Sequence, residues 1–440
     1  MKIDVAIKQC EKSSVYALLN SKELLIVLYF LVFIFGIAYG SGYKFYNGYR
    51  ILQVALLFTL GFWALYQRQF IVKKVELLFF AFIALGSLFW DNTLFIVTDL
   101  LLAYLLYKSF QALNYNTLTT KAVVLGSFVL FLMLPVGLFD YINSGLYRSD
   151  WYPLAWNIRI YNSYLFILSI FATWFYISTT KYRNIYLVFL FLALLAILLD
   201  AGRSAALAYT VFMVMVGVCN RQVWRPLLAM YALAFCTYVG VSYTASLSVD
   251  STSSALQIAR TTTSLRYDLW MNALECWLQS PLVGCGFYQL GHYEQFAAHP
   301  HNLVLQVLSE TGLIGFGFLA FISFSILRRI DWRAQNSYFV LAALVAIGID
   351  SSLSGVHIYP ITQLALLWLL VFLLKNPEFA HAAHFTQLQH NTSVSNRYLS
   401  AAVMLVLAVM FCYLIINTSI FLEDMPSTPP RFWGYGYHLL

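Results

Sequence analysis

Long uncharged runs set the terms for this chain. Glu23 to Gly40, Ile51 to Tyr66, Ala122 to Asp140, Ser163 to Thr179 and Pro226 to Tyr243 each approach or reach the roughly 20 residues a helix needs to cross a bilayer core. Hydrophobic residues make up 61% of the 440 and charged residues 10%, less than half the charged share of a soluble domain. A water-soluble fold could not cover that much apolar surface. The pattern predicts an all-α polytopic membrane protein with about 12 or 13 transmembrane helices. They lie near 23-40, 50-66, 75-90, 93-107, 121-141, 162-180, 184-199, 205-219, 226-245, 303-327, 337-355, 359-375 and 398-421.

The first run has no small-residue cleavage pattern behind it and reads as a retained helix, not a signal peptide. The formal net charge is +7, but the basic residues are scattered singly among short loops, which argues against nucleic acid as a partner. They instead sort by loop. With the amino terminus in the cytoplasm, one set of alternate loops holds Arg68, Lys73, Lys74, Lys108, Lys121, Lys181, Arg183, Arg221, Arg225, Arg328, Arg329, Arg333, Lys375 and Arg397, and the opposite loops hold fewer cations. That orientation divides the chain into a bundle of about nine helices (1-245), a long outer loop (246-302) with amphipathic helical character, further spans (303-421) and an outer tail (422-440). It also brings Arg148, Arg159, Arg203, Arg266, His299, His301, Asp350 and His357 to the outer face.

In the outer loop, Ser264 is a plausible cap for a helix on whose wheel Asp268, Asn272, Glu275 and Gln279 form one polar stripe. Arg266 falls instead among Trp270, Ala273 and Trp277. It either snorkels to lipid headgroups or binds a phosphate. In "DAGRSAALAY" a tight hairpin carries Arg203, which either pairs with Asp200 or binds an anion. In "HPHNLVLQVLSETGLIG" Asn302 can cap a helix starting at Leu303, which fixes His301 at a helix start where the dipole favours neutral imidazole, the form a general base needs. His299 is expected to point elsewhere. Glu310, two turns deep, is expected to be protonated or paired with an arginine, and Gly312, Gly315 and Gly317 to permit close helix packing.

Other features carry less. Cys276 and Cys285 share the outer loop, where pairing is permitted but not settled by spacing. His381 and His384 lack the companions of a metal site. Asp99, in the middle of a span, either hydrogen-bonds within the bundle or relays protons in a lipid or solute transporter. No glycine-rich phosphate loop or internal repeat occurs.

The histidine-asparagine stretch "HPHNLVLQVLSETGLIG", with "GRSAALA" and "SLRYDLWMNALECWLQSPLVGCGFYQL" before it in that order, resembles the motifs of the O-antigen ligase superfamily. That superfamily includes O-antigen ligases, O-antigen polymerases and bacterial O-oligosaccharyltransferases. The resemblance implies a metal-independent, cofactor-free, inverting glycosyltransferase in a bacterial inner membrane, with its active site on the periplasmic face. Its donor would be an undecaprenyl-pyrophosphate-linked glycan. By position, His301 would be the catalytic base and Arg203 and Arg266 would hold the pyrophosphate, with Asn302, Glu310 and Arg159 in support. "WNIRIYNS", "GCGFYQLGHYEQF" and "LSGVHIYPITQ" resemble protein-directed members, which favours a pilin-type protein acceptor over lipid A-core, with repeat-unit polymerisation third. A thirteenth span and the lack of a large soluble domain after it depart from the ligase and protein-directed patterns respectively.

Overall fold

A computed structural model of the protein describes residues 21–37, 43–90, 93–153, 158–248, 266–287, 289, 299–379, 394–417 and 431–433. The helices are α1 (Glu23–Ile34), α2 (Tyr43–Tyr66), α3 (Lys74–Gly86), α4 (Thr93–Ala112), α5 (Thr117–Gly126), α6 (Leu134–Ser144), α7 (Ile158–Ser178), α8 (Asn184–Leu199), α9 (Arg203–Cys219), α10 (Arg221–Leu247), α11 (Arg266–Gln279), α12 (Leu303–Leu327), α13 (Ser337–Leu353), α14 (Pro360–Lys375) and α15 (Val394–Asn417). No β-strand occurs among the described residues. The chain is an all-α polytopic membrane protein, and each apolar run found in the sequence holds a helix. The run 121-141 is interrupted by a 3₁₀ turn at Ser127–Phe131, after which Pro135 sits in the first turn of α6, a position where its missing N–H costs nothing.

Six helical stretches among the described residues are long and apolar enough to cross a membrane: Phe45–Tyr66, Thr117–Ser144, Ile158–Ser178, Arg221–Leu247, Leu303–Leu327 and Arg397–Asn417. Four shorter ones matter more to the site. α8 and α14 have 16 residues each, and α9 and α13 have 17. α7 is the hub: every residue from Ile160 to Tyr176 is buried, as expected of a helix apolar on all sides. It packs against α8, α9 and α14. α9 and α13 lie against each other, and Ala205 and Ala208 of the one and Ala342, Ala343 and Ala346 of the other are all buried. Side chains this small let two backbones approach closely in a medium without a hydrophobic drive for helix association.

α12 corrects an expectation about glycine. Gly312 does not provide a smooth packing face; it breaks the helix, with φ 62° and ψ −159°. The loop from Pro281 to Gly284 fills the break. Leu313 N–H donates to Pro281 O at 2.9 Å, Ile314 N–H to Leu282 O at 3.2 Å, and Cys285 N–H to Ser309 O at 2.8 Å. A Cβ on Gly312 would stand 2.3 Å from Leu282 O, and one on Gly317 would meet open space. Only the first is needed for close approach.

The tail also behaves differently from a simple outer extension. Of residues 422-440 the structure describes 431–433, and Arg431, Phe432 and Trp433 are 3%, 2% and 1% exposed. Arg50 holds them: its Nε donates to Phe432 O at 3.0 Å and its Nη2 to Arg431 O at 3.2 Å, while Tyr46 Oη donates to Arg431 O at 2.5 Å. Ser264, His381, His384 and residues 249–265, 288 and 290–298 of the 246-302 loop fall outside the described residues.

Candidate active site

The hairpin between α8 and α9 presents Arg203. α8 ends in a Schellman motif, with Ala201 N–H donating to Leu198 O (3.1 Å) and Gly202 N–H to Ile197 O (2.9 Å). The left-handed position is taken by Ala201 (φ 51°) and not by the glycine next to it. Gly202 is needed for another reason: a Cβ there would lie 2.6 Å from Asn162 Nδ2 of α7. Asp200, buried at the end of α8, accepts hydrogen bonds from Tyr147 Oη (2.5 Å) and Tyr152 Oη (2.7 Å). Burial pushes its carboxyl up to about 7, against the opposing pull of the two phenols. The hairpin is therefore anchored by tyrosines, which the sequence alone did not indicate.

α11 lies along α12. It buries Leu269, Ala273 and Cys276, and Tyr267, Asp268, Met271, Glu275, Leu278 and Gln279 face outward. Arg266 and Trp270 lie on the covered side, and Trp270 Nε1 donates to Pro300 O at 3.0 Å, which ties this helix to the histidine segment. Cys276 and Cys285 form a disulfide with Cα atoms 5.7 Å apart. The bond joins the end of α11 to the loop that fills the break in α12.

Asn302 caps α12, its Oδ1 accepting from Leu305 N–H at 3.1 Å. Immediately before it, His301 has φ 52°, a left-handed conformation that a side chain rarely adopts. That single dihedral corrects the expectation for His299. The chain folds back so that the two rings meet edge to face with centroids 4.3 Å apart, and His301 N–H donates to His299 Nδ1 at 3.3 Å. His357, from the turn between α13 and α14, joins them with its ring 6.2 Å from that of His299.

The charges around this group are mostly of one sign. Burial first, then Arg159 and Arg266, hold His301 down to about 3. Burial first, then Arg159 and Arg203, lower the pKa of Arg266, with Asp350 acting in the opposite sense. Arg159 and Arg266 are thus within Coulombic reach of His301, and Arg159 and Arg203 within reach of Arg266. The carboxylate of Asp350 is buried; the hydroxyls of Ser163, Ser204 and Ser354 lie near it, though none closes to a hydrogen bond. At neutral pH the histidines are uncharged, and the guanidinium groups of Arg159, Arg266 and Arg431 act on them.

Glu310 sits apart from those arginines. Its partner is Arg431, which binds both carboxylate oxygens, the second at 2.7 Å, and lies 3.0 Å from Asp99 Oδ2. The pairing of Glu310 with an arginine agrees with the sequence reading, but the arginine comes from the tail. Among the described residues no group of three His, Cys, Asp or Glu side chains could hold a metal ion.

Residues 187–322, roughly a third of the 440-residue chain, match a family model described as O-antigen ligase. The matched segment contains Arg203, Arg266, His301, Asn302 and Glu310; Arg159, Asp350, His357 and Arg431 lie outside it. No curated protein matches the chain. The order of the arginine and histidine segments agrees with this match, and residues 187–322 of the chain are similar to the O-antigen ligase family.

Proposed function

We propose that the protein is a membrane glycosyltransferase that moves a glycan from undecaprenyl pyrophosphate to an acceptor hydroxyl at the periplasmic face of a bacterial inner membrane. The observation that carries this reading is the placement of Arg159 and Arg266 near a neutral His301, with Arg203 near Arg266. Guanidinium forks suit phosphate oxygens, and a neutral imidazole suits proton abstraction.

In the proposed step a nitrogen of His301 takes the acceptor's hydroxyl proton while that oxygen bonds to the anomeric carbon. The bond from that carbon to the phosphate oxygen breaks, and lipid pyrophosphate leaves with the electron pair. Arg203 and Arg266, supported by Arg159, offset its charge in a site poor in water. Attack opposite the leaving group inverts the anomeric centre. Asn302 keeps His301 at the end of α12.

Within this class we favour a protein, of pilin type, as the acceptor, because three outer stretches of the sequence resemble protein-directed members; lipid A-core is the second reading and repeat-unit polymerisation the third. Against the transporter reading stands Asp99, whose carboxylate lies 3.0 Å from Arg431 and is poorly suited to carry protons. The test is a reconstituted enzyme given lipid-linked glycan with a pilin-like protein or with lipid A-core. His301→Ala should abolish transfer while donor binding persists. Transfer by this variant at the wild-type rate would rule the base assignment out.

A further inference from the structure

A chain of hydrogen bonds runs from the tail to the histidine group. Arg431 grips both oxygens of Glu310, which keeps that carboxylate an acceptor. Gln306 Nε2 donates to Glu310 Oε2 at 3.4 Å, so the amide oxygen of Gln306 is the atom turned toward His357, 2.8 Å from its Nε2. An amide oxygen only accepts. His357 Nε2 must therefore carry the hydrogen, and the neutral ring has a bare Nδ1. That nitrogen is buried and has no hydrogen-bond partner, so a proton there would be an unpaired buried donor.

The same tail residues hold the backbone beneath this ring. Arg50, which binds Arg431 O and Phe432 O, also donates to Ile358 O at 2.6 Å and to Gln363 Oε1 at 2.6 Å. Gln363 Nε2 in turn donates to His357 O at 2.8 Å. Two residues earlier, Gly355 lies against the other two histidines: a Cβ there would be 2.8 Å from His299 Cε1 and 3.5 Å from His301 Nδ1. The turn that carries His357 is thus the wall behind the proposed base.

We propose that Arg431 and Gln306 are positioning residues for His301: through Glu310 they fix His357 as its Nε2–H tautomer and hold the 354–359 turn against His299 and His301. The proposal rests on the reading of His301 as the base for its catalytic consequence, though not for the tautomer. These four side chains, Gln306 and Glu310 of α12, His357 of the turn and Arg431 of the tail, come from three elements far apart in sequence, so the site is complete only when they meet.

The test uses the full chain in lipid nanodiscs with ¹⁵N-labelled histidine. Gln306→Met keeps the side-chain length, leaves the Arg431 ion group whole and removes the acceptor for His357. Wild type should show His357 as the Nε2–H tautomer, and Gln306→Met a mixture. The variant's kcat should fall about tenfold or more, the scale seen when the outer hydrogen-bond partner of a metal-ligating histidine is lost, with donor affinity within about twofold. Arg431→Lys, which keeps the charge but loses the fork, should give the same split in milder form. An Nδ1–H or charged His357 in the wild type would overturn the proposal. So would an altered tautomer in Gln306→Met with the wild-type rate, or equal losses of kcat and donor affinity. The tautomer needs no substrate, so it can fail while His301→Ala still supports the base, and the reverse.

Discussion

Gly355 and His299 are in contact so close that no side chain fits between them, since a Cβ on the glycine would stand 2.8 Å from His299 Cε1. The absence of a side chain at one position of a turn therefore sets where two imidazole rings rest. Gly355→Ala should push the ring pair off its place without adding or removing a charge. A displacement of about 1 Å at a reacting group can cost about a hundredfold in rate. The expected result is a kcat lower by one to two orders of magnitude with donor affinity preserved, measured by transfer kinetics and a binding assay on one preparation.

His301 is held down to about 3 by burial and by its arginine neighbours, a weak base in the unliganded protein. An anion has the opposite effect, because negative charge favours imidazolium. Pyrophosphate seated on Arg203 and Arg266 should raise the His301 pKa toward neutrality, so that the base becomes effective when the donor is in place. Histidine resonances followed by NMR with and without a pyrophosphate-bearing lipid should show that rise. An unchanged titration in the bound state would remove donor binding as the trigger.

Acid should destabilise the protein. His301 and His357 are both held down to about 3 from an ordinary 6.5, in each case chiefly by burial, and His299 is lowered as well. Between these values the unfolded chain binds protons that the folded one refuses. The stability these groups contribute is present above about pH 6.5 and is lost as pH falls toward 3. Melting temperature in detergent should drop on going from pH 7.5 to 4.5. Asp200, pushed up to about 7, gains stability over part of this window as pH falls, so a flat profile would mean the two effects cancel, and a rising one would contradict the buried neutral histidines.

Reduction of Cys276–Cys285 should cost about 2–3 kcal/mol of local stability, the amount expected for a short cross-linked loop. The loop it closes also fills the break at Gly312, so the effect should reach α11 and Arg266. Hydrogen exchange at 266–287 should quicken in Cys276→Ser/Cys285→Ser, and donor affinity should weaken several-fold. Unchanged exchange would mean the bond is redundant with the backbone hydrogen bonds beside it.

The parts of the site readable from sequence were those coded locally. Asn302 one residue ahead of an apolar run announces a capped helix, and Arg203 in a short hairpin and Arg266 among tryptophans are conspicuous because each charge contradicts its surroundings. What escaped depends on single dihedrals or on partners distant in the chain. The fold-back of His299 follows from one φ of 52° at His301, which no periodicity encodes. Glu310 demands a cation, but the choice of Arg431, 121 positions away, over the nearer arginines is a matter of packing. Gly312 shows the same limit: its residue type signals close approach, but not whether the approaching partner is a helix or a loop.

At 1.5 Å per residue, α8, α9, α13 and α14 rise only about 24–26 Å, short of the roughly 30 Å hydrocarbon thickness of a typical bilayer. Surrounding lipid must thin or bend to meet them. A dimple of this kind would sink the arginine cluster to the depth of the phosphate layer. A long-tailed substrate diffusing in the plane could then slide its headgroup into place sideways, without being hauled up into water first.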